Sequence, residues 1–431
     1  MTVSDSPTLG YRELLRRNAP LRHLWLGRLV SHIGDWFNLI ALYHAVQLLT
    51  DSAQAVVLVV VVKTLPIFLM TPLAGPIADR MDRRQLLIAA DIFRALTLLA
   101  LVACWWLDSL IGIYVCVTLM VCAAGIVIPT TNAALPMLTS PREVPMANAL
   151  VGGTWSVSLA LGAAVGGAVT EVAGVTVALL VDGGTFVVSA WLAARLPSLP
   201  PPALVEAQRE ACDEPAEASD QTGFREGLRY LWRSPYILCV ASLKSLMQLY
   251  GGLMALTPFF GTIVFADASG PGYVGLLYGV RGVGAAIGAM GLRALFGDAL
   301  RTMRLIIAVS IAMAGAAFAT LALATAFWHA ALAFFVAQIG QSAVYVLSGS
   351  LIQMEADERF HGRVFALDVG VMTLILAIAS YLAGVALDHG VAMDTVVLVG
   401  ASMAALPFAV WSATVWRVHR QSSTTLDDPG A

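Results

Sequence analysis

The chain has 431 residues, 58% of them hydrophobic and only 12% charged, with a mean hydropathy of +0.79 and a formal net charge of −3. A soluble domain carries roughly twice that charged fraction, so a soluble globular protein is excluded and an all-α, multi-span membrane protein is indicated. The net charge is uninformative for such a protein, but its distribution is not, and no nucleic-acid partner is expected.

Taken in chain order, stretches long and apolar enough to span a bilayer fall near residues 24–49, 55–74, 85–107, 110–131, 147–170, 174–195, 236–264, 272–296, 303–326, 329–353, 364–387 and 391–416. Asp5, Arg12 and Glu13 precede the first run, so no signal peptide is expected. In span 1, Arg28, His32 and Asp35 are separated by four and three residues and share one helix face, with Asn38 three further on. An ionisable group inside hydrocarbon is expensive unless it faces a cavity or a partner. Asp35 therefore reads as a cavity carboxylate, or alternatively as a buried polar link between helices. In span 2, Lys63 sits about eight residues, roughly 12 Å, from the nearer interface, too far for its side chain to reach easily. It reads as facing a cavity, with snorkelling as the alternative.

The ten residues Gly75 to Arg84 follow. A glycine, acids and three arginines cannot lie in hydrocarbon, so they form a short charged turn between spans 2 and 3. In span 6, Asp182 precedes Gly183 and Gly184, which suits either a cavity acid or a buried cap at a close helix contact. Residues 197–222 are rich in Pro, Ala and acids and read as a flexible linker. Phe224, Leu228, Leu231 and Trp232 then fall at helical spacing among Arg225, Arg229 and Arg233. That pattern fits a short basic amphipathic helix lying on the inner leaflet, packed on the bundle, or both. In span 7, Lys244 lies nearer the inner end, with Gln248 one turn on; it either faces the cavity or snorkels. In span 8, Arg281 is flanked by Gly279, Gly282 and Gly284 and reads as a cavity cation or as a packing arginine bonded to carbonyls. Glu355, Asp357 and Glu358 beside Arg359 and Arg363 read as a solvated helix end.

Lysine occurs only at Lys63 and Lys244, and most arginines cluster in alternate connections: before span 1 and after spans 2, 4, 6, 8, 10 and 12. The positive-inside rule then places both termini in the cytoplasm, as twelve spans require. The expected units are 1–196, a six-helix bundle; 197–234, a linker with the amphipathic helix; 235–420, a second six-helix bundle; and 421–431, a disordered tail. Gly167 with Glu171 echoes Gly384 with Asp388, and Lys63 echoes Arg281 at nearly the same offset. Such similarity suits a parallel repeat with its substrate site between the halves near the midplane. Asp35, Lys63, Arg281 and Lys244 would surround that site and leave it net positive, favouring a substrate with an anionic or strongly electronegative part. Asp35 is the expected carrier of a coupling proton.

The cysteines (Cys104, Cys116, Cys122, Cys212, Cys239) show neither metal spacing nor a disulfide framework. No phosphate loop, metal motif or nucleophile–base set occurs, so neither an enzyme nor a cofactor is expected.

The segment 75–84 resembles the loop between helices 2 and 3 of the major facilitator superfamily, Gly-x-x-x-Asp-Arg-x-Gly-Arg-Arg, with Asp82 in place of the second glycine. Gly162 to Gly167 resembles the family's Gly-Pro-x-x-Gly-Gly antiporter motif, with Ala163 for the proline, which implies close helix packing through Gly162, Gly166 and Gly167. Residues 24–30 with 34–36, 224–231 and 362–365 resemble the branch of macrolide and enterobactin exporters. The resemblance implies a latch on the cytoplasmic side, in which Gly75, Asp79, Arg80, Arg83 and Arg84 meet the inner end of span 11 at Asp368. The family's membrane arginine in span 4 is replaced by Val121, which shifts proton coupling onto Asp35. The reading is a monomeric, proton-coupled exporter of amphipathic small molecules in a bacterial-type cytoplasmic membrane. A lysophospholipid or organic-anion carrier is the first alternative and a non-transporting receptor the second.

Overall fold

The computed structural model describes residues 10–140, 143–201, 224–262, 264–265, 270–291, 299–357 and 360–424. Most of the predicted linker and tail lie outside these residues, as do the side chains of Asp79 and Arg363 and the burial of Gly75.

Helices account for nearly all of the described chain. They are α1 (Tyr11–Arg17), α2 (Ala19–Leu49), α3 (Ala53–Arg80), α4 (Arg83–Trp106), α5 (Leu110–Leu138), α6 (Val144–Ala193), α7 (Phe224–Arg233), α8 (Pro235–Gly251), α9 (Thr257–Thr262), α10 (Pro271–Ala286), α11 (Leu300–Thr320), α12 (Phe327–Glu355), α13 (His361–Asp388), α14 (Met393–Ser402) and α15 (Ala405–Thr424). Short polar residues start the early helices. Asn18 caps α2 by accepting from Leu21 N at 2.9 Å, Ser52 caps α3 through Ala55 N at 3.1 Å, and Ser109 caps α5 through Gly112 N at 3.2 Å. Each cap satisfies a backbone donor that hydrocarbon could not.

Ten helical stretches among the described residues are long and apolar enough to cross a membrane, so this is a multi-pass membrane protein. One of them, Met146–Ala193, runs through Gly174, whose dihedrals (φ 81°, ψ 171°) are non-helical and break the rod at the boundary expected from the sequence. Helix α2 is not among the ten, because its charged and polar residues dilute its apolar character. Two other spans are less regular than their composition predicts. Span 7 is interrupted by a 3-10 stretch, Gly252–Leu256, where Gly252 admits Ala379 and Ser380 of α13. Span 8 leaves α-geometry at a π turn, Ile287–Gly291.

The helices before residue 201 and those after 224 meet along two seams, α6 on α10 and α3 on α13, with α2 reaching α10. One end of the bundle carries Arg80, Arg83, Arg84 and Arg304; the other carries Ser52, Glu171, Gly270 and Asp388. Among the described residues, seven hydrogen bonds join the two sets toward the latter end. Toward the arginine-rich end Gly152 and Gly153 of α6 are exposed, with nothing among the described residues within 4 Å of where a Cβ would stand.

Candidate functional site

The densest polar cluster inside the bundle lies among α2, α3, α4 and α6. Arg28 of α2 pairs with Asp91 of α4, and its Nη2 also donates to Ser189 Oγ of α6 at 2.6 Å. Arg94 of α4 pairs with Asp35 of α2, donates to Ser31 Oγ at 3.2 Å, and lies 3.9 Å from Asp91 Oδ1. Its guanidinium also stacks 3.9 Å from the centroid of Phe186. His32 Nδ1 stands 3.7 Å from Asp35, and Lys63 Nζ donates to the backbone carbonyl of Asp35 at 3.3 Å. Asp182 of α6 is fully buried against Gly34, where an added Cβ would collide with it, and Thr185 Oγ1 donates to its Oδ1 at 3.3 Å. Asn38 is buried on the same helix as Asp35.

The helix geometry explains the assembly. Arg28, His32 and Asp35 recur at four and three residues on α2, as do Asp91 and Arg94 at three on α4, so two charged stripes face each other. Small residues let the rods approach: Gly34 admits Asp182, and Cβ atoms at Gly162 and Gly166 would meet α2 backbone within 2.9 Å. Within the network Arg28, Asp91, Arg94 and Asp182 are sealed, whereas the Asp35 side chain remains 32% exposed and His32 41%. Asp35 is therefore the least enclosed acid of the cluster.

The structure brings Asp35, His32, Lys63, Asp182 and Asn38 together and corrects the charge expected around them. Sequence reasoning passed over Asp91 and Arg94, which lie within a stretch read only as apolar; an Asp-x-x-Arg pair at helical spacing inside a span was the signal. With them included, Arg28, Lys63 and Arg94 face Asp35, Asp91 and Asp182, three cations against three carboxyl groups. The site on this side is balanced, not net positive.

Lys244 is corrected likewise. It neither snorkels nor stands free in a cavity: it is buried, paired with Asp368 of α13, and lies 4.5 Å from the ring centroid of Tyr345. Asp368 is thus held by Lys244 and not by an arginine of the 75–84 turn. Gln248, one turn beyond, turns instead toward Gln341 of α12 beside Gly251. Arg281 of α10 is buried and donates to Gln338 Oε1 and Thr257 Oγ1, each at 3.3 Å, with its guanidinium 4.4 Å from the Tyr278 ring centroid.

The charged turn is tied to its own side of the molecule. Asp82 caps α4 through Arg84 N (2.8 Å) and Gln85 N (3.4 Å), and accepts from Ser198 Oγ (2.6 Å) and Leu199 N (3.1 Å). Burial raises its carboxyl pKa, but these four donors outweigh burial and hold it below the ordinary carboxylate value. Arg83 donates to Pro200 O and to Met137 Sδ, both at 3.0 Å, and Arg84 to Ala194 O at 2.6 Å, while Arg80 is exposed. The start of the predicted linker is therefore anchored on this turn. The expected meeting of Arg83 or Arg84 with Asp368 is not made in this arrangement, because the arginines are occupied by backbone carbonyls of their own side.

The opposite end is where the two sets interlock. Asp388, at the end of α13, accepts from Ser52 Oγ (2.5 Å), Ala53 N (2.7 Å) and Gln54 N (3.2 Å), capping α3 from the other set. Glu171, at the end of the first segment of α6, accepts from Gly272 N of α10 at 3.1 Å. Each acid follows a glycine in close contact with the helix it caps. A Cβ at Gly167 would lie 2.6 Å from Pro271 O, and one at Gly384 would lie 3.0 Å from Gln54 Cα. Tyr43 and Tyr278 hydroxyls meet at 3.0 Å just inside, and Gln47 donates to Thr262 at 2.8 Å.

Residues 24–380 match the Major Facilitator Superfamily. The chain belongs to that superfamily. A relative from Bacillus subtilis (strain 168), "Uncharacterized MFS-type transporter YfiS", is 26% identical over 229 residues, 53% of this chain, and the chain spans about half (52%) of that protein's length. A relative from Bacillus amyloliquefaciens, "Putative bacilysin exporter BacE", is 25% identical over 394 residues, 88% of this chain and 91% of that protein. Among solved structures, a POT family transporter in complex with a thioalcohol-conjugated peptide superposes with a TM-score of 0.74 at 9% identity, covering 92% of this chain and 96% of that one, which shows the fold. Family and structural neighbours are transporters, so this chain is a membrane transporter and not an enzyme.

Proposed function

We propose that this chain is a twelve-helix, alternating-access exporter of amphipathic small molecules, driven by proton antiport and working as a monomer in the cytoplasmic membrane. Counting α2 and dividing α6 at Gly174 gives twelve spans and two six-helix halves, 1–196 and 235–420, joined by the linker. The clustering of arginines at one end supports assigning that end to the cytoplasm, with both termini there. The interlocked end is then the outer gate, and the arginine-rich end faces inward. The 75–84 turn, with Gly75, Asp79, Arg80, Arg83 and Arg84, forms its latch in the opposite, outward-facing state.

The observation that carries the coupling is the part-exposed Asp35 joined to the buried Arg94. Protonating Asp35 frees Arg94, which already lies 3.9 Å from Asp91 and can transfer to it without leaving the buried network. A proton thus exchanges one ion pair for another inside the moving half. Transport in proteoliposomes under an imposed pH gradient tests this, on a panel of amphipathic drugs, siderophores and lysolipids. Gradient-driven movement that disappears in Asp35→Asn supports the reading. Movement indifferent to both gradient and substitution overturns it.

A further inference from the structure

The two halves differ in how they treat buried charge. In the first, three cations meet three carboxyl groups. In the second, Lys244 has Asp368 and Arg304 has Glu355 at 2.9 Å. Among the described residues, no carboxylate stands within ion-pair distance of Arg281, although it is only 8% exposed. Its two hydrogen bonds, to neutral Gln338 and Thr257, are both 3.3 Å, longer than the usual N–H···O range. A guanidinium withdrawn from water without a counter-ion is costly, and long bonds to neutral acceptors compensate only part of that.

A second donor waits one helical turn along α12 from Gln338. Gln341 is 9% exposed and its Nε2 is enclosed with no hydrogen-bond partner. The site also continues across the seam as an aromatic strip. Tyr278, under the Arg281 guanidinium, lies 5.9 Å from Trp36 of α2, and Trp36 lies 6.1 Å from the part-exposed Trp155 of α6. The Gln341 amide lies beside Gly251 and Gln248 of α8, while the cation and the stacked rings form one surface between the halves.

We infer that Arg281 is the counter-ion for an acidic group of the substrate, a carboxylate or phosphate, whose apolar body lies against Trp36 and Trp155. This rests on the exporter reading and narrows its substrate class to acidic amphipaths. A guanidinium binds such oxyanions through two parallel hydrogen bonds. The Tyr43–Tyr278 bond lies directly beyond, so the acid is held one side-chain layer beneath the outer gate.

The test is equilibrium binding to the full-length protein in nanodiscs at a single uniform pH, read by quenching of tryptophan fluorescence. With no gradient present it reports on Arg281 alone, whereas the proteoliposome assay reports on coupling, so the two readings fail separately. The probes share an aromatic or acyl body: pyrenebutyrate, its methyl ester, and lysophosphatidate with its neutral monoacylglycerol. The acid should bind about tenfold more tightly than its neutral partner, that preference should vanish in Arg281→Gln, and Arg281→Lys should keep part of it. A preference confined to lysophosphatidate assigns the acid to a lipid headgroup; one confined to pyrenebutyrate assigns it to a free organic acid. Should Arg281→Gln fail to give monodisperse protein, Arg281→Met replaces it and should likewise abolish the preference. Equal binding of acid and neutral probes by the wild type, or an undiminished preference in the variants, overturns the proposal.

Discussion

Removing both gate acids should open the interlocked end. Asp388 satisfies two of the first backbone donors of α3 and the Ser52 hydroxyl, and Glu171 satisfies one donor of α10. A capping side chain is worth about 1 kcal/mol and a single hydrogen bond about 0.5–1.5 kcal/mol. Both acids are exposed, so the lower part of each range applies. The pair therefore contributes about 1.5 kcal/mol to the closed gate, and Asp388→Ala with Glu171→Ala should shift the balance toward the open gate roughly tenfold. Pulsed spin-label distance measurements read that shift directly. Labels at Asp108, in the turn before α5, and Asp394, in the first turn of α14, stand at this end on opposite sides of the seams and would be introduced after replacing the five native cysteines. The expected result is a new, longer population in the double variant and a smaller one in each single variant. An unchanged distance distribution would refute the reasoning, since it would mean that the caps do not hold the halves together.

The glycines beneath those acids should differ in tolerance. Gly167→Ala would drive a Cβ to 2.6 Å from a carbonyl oxygen and 2.7 Å from Gly275 Cα, whereas Gly384→Ala meets its nearest atoms at 3.0 and 3.1 Å, so the former should open the gate more in the same assay. Asp91→Ala leaves Arg28 buried without its partner and should cost about 3–5 kcal/mol, seen as a large drop in the thermal unfolding midpoint, while replacing Asp91 and Arg28 together by Leu and Met should cost much less. A midpoint for the single variant equal to that of the double would contradict the pairing. Asp82 has a folded-state pKa below its unfolded value, so its contribution is present above the unfolded value, near 4, and is lost as pH falls through the folded one. The stability gap between wild type and Asp82→Asn should accordingly be full at pH 7 and close in acid; a gap independent of pH would remove Asp82 from that role.

Much of this architecture was legible because spans and turns are written in composition. The break at Gly174 and the amphipathic α7 follow from local pattern, whereas the charged turn expected at 75–84 is shorter than its composition suggests: α3 continues to Arg80 and α4 begins at Arg83, so only Met81 and Asp82 lie between them. What was missed depends on contacts between distant residues or on polar residues hidden in apolar context. Asp91 and Arg94 are two charges within a 24-residue helix and hardly alter its mean hydropathy, yet they set the charge of the site. The Lys244–Asp368 pair joins residues 124 positions apart, and no periodicity relates them. Ser198, Leu199 and Pro200 read as the start of a flexible linker because proline breaks helical pattern, but their backbone and hydroxyl groups are what the 75–84 turn binds.

The echo between Gly167–Glu171 and Gly384–Asp388 has a physical content that the sequence could not supply. In both places the glycine removes a side chain so that a helix of the opposite set can lie against the backbone, and the acid one turn later caps that helix. The two seams are thus built alike, as a pair of hinged closures must be if the halves are to separate by one rotation. The interiors are not alike. One half balances its charges internally and offers a part-exposed acid; the other keeps a buried guanidinium with only neutral partners. Symmetric seams with asymmetric interiors suit the division of labour proposed above, in which the seams set which side is open, the first half responds to protons and the second selects what is carried. A ligand at Arg281 lies against Tyr278, which is itself bonded across the seam to Tyr43, so binding and gate closure share one side chain.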